Sequence, residues 1–250
     1  MQSNYLNHLD AKLHYQTGGT ANKPVLVLLH GGLGSIADFD AVLPQLQPQF
    51  RLIAIDTRGH GRSTLGSAKL TYQQFADDVL HILGHEGIEQ FSLFGFGDGG
   101  ICAYRIGAIC GGVDKIITLG AHWHADNLSR IRPLYNQLDE HAIYTYMPEA
   151  VAFYRENNPR PNVALLTEHL KTMWLDNGDS GYPNNSVRSV KASILAMRGE
   201  TDFLLGWEDM ASLKSLVQAI HLANIPFAGH EAVKEQPEMV LAAIKAFWAF

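Results

Sequence analysis

QFSLFGFGDGGICAYRIGAICGG, residues Gln90 to Gly112, reads as a short apolar strand, a turn built on Gly95, Gly97, Gly99 and Gly100, and an apolar helix. A reversal this tight presents one backbone position at its apex, and here that position is Gly97. Glycine adopts the positive φ of such an apex without a Cβ clash. The stretch therefore predicts a strand, sharp turn and helix unit with a bare apex.

Outward from it, the same alternation repeats. Val25 to Leu29 (VLVLL) is an unbroken apolar run, as expected of a strand covered on both faces, and it ends in His30-Gly31-Gly32-Leu33-Gly34-Ser35. A helix is predicted over Ala37–Leu46, closed by Pro48. Arg51–Ile55 is the next strand, running into Asp56-Thr57-Arg58-Gly59-His60-Gly61-Arg62-Ser63. Thr71 opens a helix with Gln74 as a capping-box partner, and Phe75, Val79, Ile82 and Leu83 mark its buried face. Val113–Leu119 gives another strand. On the N-terminal side, Asn4–Leu9 and Lys12–Gln16 read as a hairpin turning at Asp10-Ala11.

From about His122 to Val187 the rhythm changes to three helical patches, Leu128–Glu140, Pro148–Glu156 and Val163–Asp176, with no strand between them. Alternation resumes with a strand over Ser193–Arg198, a helix over Glu208–Gln218, a strand over Ile220–Ile225 and a last helix from Pro237. The order predicts an α/β fold with a mostly parallel sheet and right-handed crossovers.

The chain has 250 residues, 46% of them hydrophobic, enough for one full core. Its net charge of −6 and lack of a basic run argue against nucleic-acid binding. No apolar run approaches the roughly 20 residues that span a bilayer, and the N-terminus carries no export signal, so a cytoplasmic protein is expected. Cys102 and Cys110 lie about 12 Å apart along one predicted helix, too far for a disulfide. His122 and His124 alternate at a strand end with no cysteine or carboxylate cluster beside them, and His81 and His85 share a helix face with no third ligand, so no metal or other cofactor is expected.

The turn at Gly95-Phe96-Gly97-Asp98-Gly99 resembles the Gly-x-Ser-x-Gly nucleophile elbow of the α/β-hydrolase family, with Gly97 standing where that family has serine. An alternative register makes Asp98 a carboxylate nucleophile of the dehalogenase type, but it puts Phe96 where a small residue is needed. Three further stretches match the family in order: His30-Gly31-Gly32, the Asp202 turn after a strand, and Gly229-His230 before the last helix. The resemblance implies an eight-stranded sheet flanked by helices, a core of residues 1–121 and 188–250, and a helical cap at 122–187 inserted after the sixth strand.

It also implies roles. Asp202 would orient His230 as base and then acid, and the N–H groups of Gly32, or less favourably Leu33, and of Asp98 would hold an oxyanion. The cap aromatics, Trp123 among them, would meet a small-molecule substrate. Asp98, as in the Gly-x-Ser-Asp-Gly-Gly group of ester and C–C bond hydrolases, would face a cationic amine. With the attacking oxygen absent, three readings remain open: a hydrolase whose serine was replaced, His-Asp chemistry without a covalent intermediate (lyase or cofactor-free oxygenase), and a non-catalytic binding protein. Neither the substrate nor the oligomeric state follows from these residues.

Overall fold

A computed structural model describes residues 1–249. Eight strands form one sheet: β1 (Gln2–His8), β2 (Ala11–Gly19), β3 (Val25–Leu29), β4 (Arg51–Ile55), β5 (Phe91–Phe96), β6 (Val113–Leu119), β7 (Ser193–Gly199) and β8 (Ile220–Ile225). Their spatial order is β1-β2-β4-β3-β5-β6-β7-β8. β2 runs antiparallel to both its neighbours, and all other pairs are parallel.

The unbroken apolar runs are explained by two cores, one on each face. Because strand side chains alternate, Leu26, Leu28, Phe94, Ile117 and Met197 enter one core, while Val27, Leu29, Leu93, Ile116 and Ile194 enter the other. The first core is closed by α1 (Leu43–Leu46) and by α9 (Ala232–Glu235) with α10 (Pro237–Trp248). Over the second lie α2 (Tyr72–His85), α3 (Asp98–Ile109) and α8 (Trp207–Leu216). Between β6 and β7 come α4 (Arg132–Gln137), α5 (Glu140–Tyr146), α6 (Pro148–Asn157) and α7 (Val163–Trp174), with short 3-10 turns at Ala125–Ser129 and Asn184–Ser189. Among the described residues no helix is long and apolar enough to cross a membrane. Cys102 and Cys110 are free thiols.

Two helix predictions need correction. The helix expected over Ala37–Leu46 is a 3-10 turn at Ile36–Phe39 followed by the single turn of α1, with Pro44 in the first turn of α1. Asp38 in that 3-10 turn points inward, accepting the Gly31 N–H at 3.3 Å and pairing with Lys234 at 2.9 Å. The patch expected over Leu128–Glu140 breaks into α4 and α5, because the Asp139 side chain accepts from the Ala142 N–H at 2.8 Å and caps a new helix. Thr71 does cap α2, accepting from the Gln74 N–H at 3.0 Å. The Gln74 side chain, however, turns away to Asp78 at 3.0 Å, so the capping box is half formed.

Candidate functional site

The site gathers where β3, β5, β6 and β7 end. Gly97 joins β5 to α3 at φ 50 and ψ −118. Its neighbours are glycine because nothing else fits: a Cβ on Gly95 would enter the backbone of Gly99 and Gly100, and one on Gly99 would enter the backbone of Leu29. On Gly100 it would stand 2.5 Å from the Ala121 Cβ. Gly97 differs. A Cβ there meets only the Gly31 Cα and His230 Nε2, both at 3.5 Å, which is ordinary contact.

His230 is held from behind. Its Nδ1 lies 3.1 Å from each Asp202 carboxylate oxygen, and Asp202 Oδ1 also accepts the N–H groups of Leu204 at 2.9 Å and Leu205 at 3.2 Å. Burial alone would push the Asp202 carboxyl upward. The His230 hydrogen bond, with those backbone donors, outweighs it and holds the group below the usual carboxylate range. An ionised Asp202 accepts only, so Nδ1 carries the proton and Nε2 faces residue 97 as the basic atom of the neutral ring. Gly120, at φ 64, lies against this pair: a Cβ there would stand 2.8 Å from His230 Cε1. Glu235 fixes the histidine loop by accepting the Gly229 N–H at 2.7 Å.

On the other side of Gly97 is the loop after β3. His30 Nδ1 donates to the Gly31 carbonyl at 2.7 Å and Nε2 accepts the Thr57 N–H at 2.9 Å, tying this loop to the one after β4. The N–H groups of Gly32, Leu33 and Asp98 donate to no protein acceptor among the described residues. Leu33 has φ 60, a conformation L-residues rarely adopt, so backbone strain sits beside these donors.

Asp98 does not point to solvent. Its carboxylate accepts from the Tyr72 hydroxyl at 2.7 Å and from the Trp174 indole N–H at 2.8 and 3.0 Å. Burial raises its carboxyl above the usual range although both hydrogen bonds pull the other way. The same group packs against Gly32, where a Cβ would stand 2.7 Å from both Asp98 Oδ2 and the Trp174 ring. Tyr72 and Trp174 were invisible as partners in the sequence, since they sit 26 and 76 residues from Asp98. Trp123 lies in the core, 6% exposed, with its indole N–H on the Asp209 carbonyl at 2.9 Å.

Residues 24–137 match the α/β hydrolase fold family. The chain has the α/β-hydrolase fold. A Haemophilus influenzae protein provisionally assigned as an esterase/lipase is 32% identical over 42% of this chain and 37% of its own. A soluble epoxide hydrolase of a Corynebacterium species is 34% identical over 37% of this chain and 32% of its own. This chain thus spans about a third of the length of the curated relatives it matches. Among solved structures, a Pseudomonas aeruginosa hydrolase covers 99% of this chain and 98% of its own at 20% identity and TM-score 0.79. An E-2-(acetamidomethylene)succinate hydrolase covers 100% and 99% at 20% identity and TM-score 0.80. At these identities the structural likeness is one of fold.

Two buried histidines near the site predict the acid response of this hydrolase-fold chain. Burial holds His60 down at about 3, and burial holds His122 down at about 4 although Asp209 and Asp202 pull it upward. Both His122 nitrogens and His60 Nε2 lack a hydrogen-bond partner. The unfolded chain titrates its histidines near 6.5 and so takes up protons that the folded chain refuses as pH falls below that value. Stability should drop between pH 6.5 and 4 by roughly 1 kcal/mol per pH unit for each histidine. Urea midpoints at pH 7.5 and 5.0 test this, and equal midpoints refute it.

Proposed function

We propose that this chain carries the framework of a small-molecule acyl hydrolase, acting on a carboxylic ester or a related acyl or C–C bond, with Gly97 at the position of the attacking serine. Residues 122–187 would be its cap over a core of 1–121 and 188–250. The observation that carries this reading is the direction of the missing side chain: a Cβ on Gly97 fits without collision and stands 3.5 Å from His230 Nε2. One C–O bond further, a hydroxyl reaches hydrogen-bond range of that nitrogen.

In the serine form, Oγ would attack the carbonyl carbon while Nε2 takes its proton. The N–H groups of Gly32 and Asp98, unpartnered in the protein, would receive the oxyanion, and His230 would return the proton to the leaving group. Asp202 would steady the imidazolium. Asp98 acts here through its backbone, its carboxylate being engaged by Tyr72 and Trp174, which favours a structural tie between the cap and α3 over amine recognition. With no Oγ, the chain would be inactive or severely impaired toward esters, since loss of such a nucleophile costs about 10⁶ in turnover. Restoring the hydroxyl with Gly97→Ser tests the reading: ester turnover supports it, and a folded, inert variant removes it.

A second reading rests on the free Nε2. A basic nitrogen next to open oxyanion donors suits proton abstraction from a carbon acid without a covalent intermediate. If the unmodified chain turns over a proton-labile substrate, His230→Ala should abolish it; activity surviving in His230→Ala excludes this chemistry.

A further inference from the structure

A hydrogen-bonded row of serine, histidine and carboxylate lies outside the site. Ser3 Oγ is 2.7 Å from His14 Nε2, and His14 Nδ1 is 2.7 Å from Asp56 Oδ2. Ser3 is exposed on β1, the edge strand, whereas His14 on β2 is 1% exposed and Asp56, just after β4, 3%. The register explains the meeting. Ser3 is opposite Gln16, so His14, two residues away, projects from the same face as its diagonal neighbour.

The proton positions in this row are fixed by the far end. Asp56 accepts the N–H of Ile36 on Oδ1 and of Arg62 on Oδ2, each at 2.9 Å. Burial alone would raise its carboxyl, but the His14 hydrogen bond and those two donors hold it below the usual range. An ionised carboxylate only accepts, so His14 Nδ1 donates; the neutral ring then has Nε2 as acceptor, and the Ser3 hydroxyl must donate to it. The ring cannot turn away easily. The His14 backbone N–H is held by Ser63 Oγ at 2.7 Å, Ser63 Oγ donates to the Asp56 carbonyl at 2.6 Å, and the Tyr5 ring lies 5.1 Å from the imidazole. Gly61 leaves room for the acid, since a Cβ there would fall inside the Asp56 carboxyl.

We propose that Ser3 is a covalent modification site, an activated serine that accepts an acyl or phosphonyl group from an activated donor, with His14 as its base and Asp56 as the group that orients His14. The arrangement supplies a nucleophile, a base within reach and an orienting acid. With a fluorophosphonate, the Oγ–P bond forms and the P–F bond breaks; fluoride leaves with its electron pair, and the hydroxyl proton passes to His14 Nε2 and on to solvent. With an acyl thioester, the Oγ–C bond forms, the C–S bond breaks, and the proton carried by His14 goes to the departing thiolate. The product is an ester at Ser3, formed once per chain.

The unmodified chain is treated with a fluorophosphonate at pH 8, and adducts are located by peptide mapping over time. Ser3 should label roughly 100-fold faster than the exposed Ser67 and Ser189 of the same chain, the lower end of what a positioned base contributes. Ser3→Ala should remove this adduct, and His14→Gln should slow it to the rate of Ser67. A Ser3 rate no greater than that of Ser67 in the unmodified chain overturns the proposal, and this comparison needs no buried substitution. An equal Ser3 rate in folded His14→Gln also overturns it. Mapping keeps this outcome separate from an adduct at residue 97 in Gly97→Ser.

Discussion

Gly97→Ser is expected to hydrolyse a short chromogenic ester in a burst followed by slow turnover. The gain should approach 10⁶ over the unmodified chain, roughly the cost of removing the nucleophile from an intact serine hydrolase site. The expectation is this large because the proposed site lacks only the hydroxyl: His230 Nδ1 lies 3.1 Å from Asp202, and the N–H groups of Gly32 and Asp98 are unpartnered in the protein. The new side chain needs no rearrangement, its Cβ having ordinary contacts at 3.5 Å. It does need a non-glycine residue at φ 50, which costs about 1–3 kcal/mol, so the variant should melt a few degrees below the parent. A fluorophosphonate should then add at residue 97. If the variant folds, yet neither hydrolyses the ester nor takes an adduct at that residue, the acyl-hydrolase reading fails.

The largest expected loss of stability comes from Arg58. This side chain is fully buried and grips Asp78 with two hydrogen bonds, Nε to Oδ2 at 2.9 Å and Nη2 to Oδ1 at 2.7 Å. Asp78 is itself 2% exposed and also meets His8 Nδ1 at 2.7 Å. Arg58→Met removes the cation and leaves a buried carboxylate with weaker partners, at a cost of about 3–5 kcal/mol. For a chain of this length that is a fall of roughly 10 °C in Tm. Combining it with Asp78→Leu should recover much of the loss, since the penalty comes from the unpaired charge rather than from the missing attraction. A single variant that melts within a degree or two of the parent would show that the pair is not the anchor of the loop after β4. Equal losses in the single and double variants would show that packing, not charge, is at stake.

The Arg58 loop shows what the sequence could carry. Twenty residues separate Arg58 from Asp78, which by local pattern is only one more polar position on an amphipathic helix, so their pairing is not legible in the sequence. The capping of α2 by Thr71 was legible because it is decided within one turn of chain. The second half of that capping box was not, because Asp78 competes for the Gln74 side chain. Likewise the split of the predicted Leu128–Glu140 helix turned on whether Asp139 capped or stayed solvated, which local pattern leaves undecided.

The sequence by itself determined the sheet, since unbroken apolar strands must be covered on both faces, and the elbow, since steric exclusion of Cβ at Gly95, Gly99 and Gly100 is written in glycines. It also supplied Gly97, Asp202 and His230 in order. Tertiary structure alone decided that the vector from Gly97 ends on His230, that the Asp98 carboxylate is claimed by Tyr72 and Trp174, and that Ser3, His14 and Asp56 line up. The reason is the range of the forces. Glycine sterics and strand periodicity act within a few residues, whereas a hydrogen bond between distant side chains exists only once the sheet order has brought their strands together.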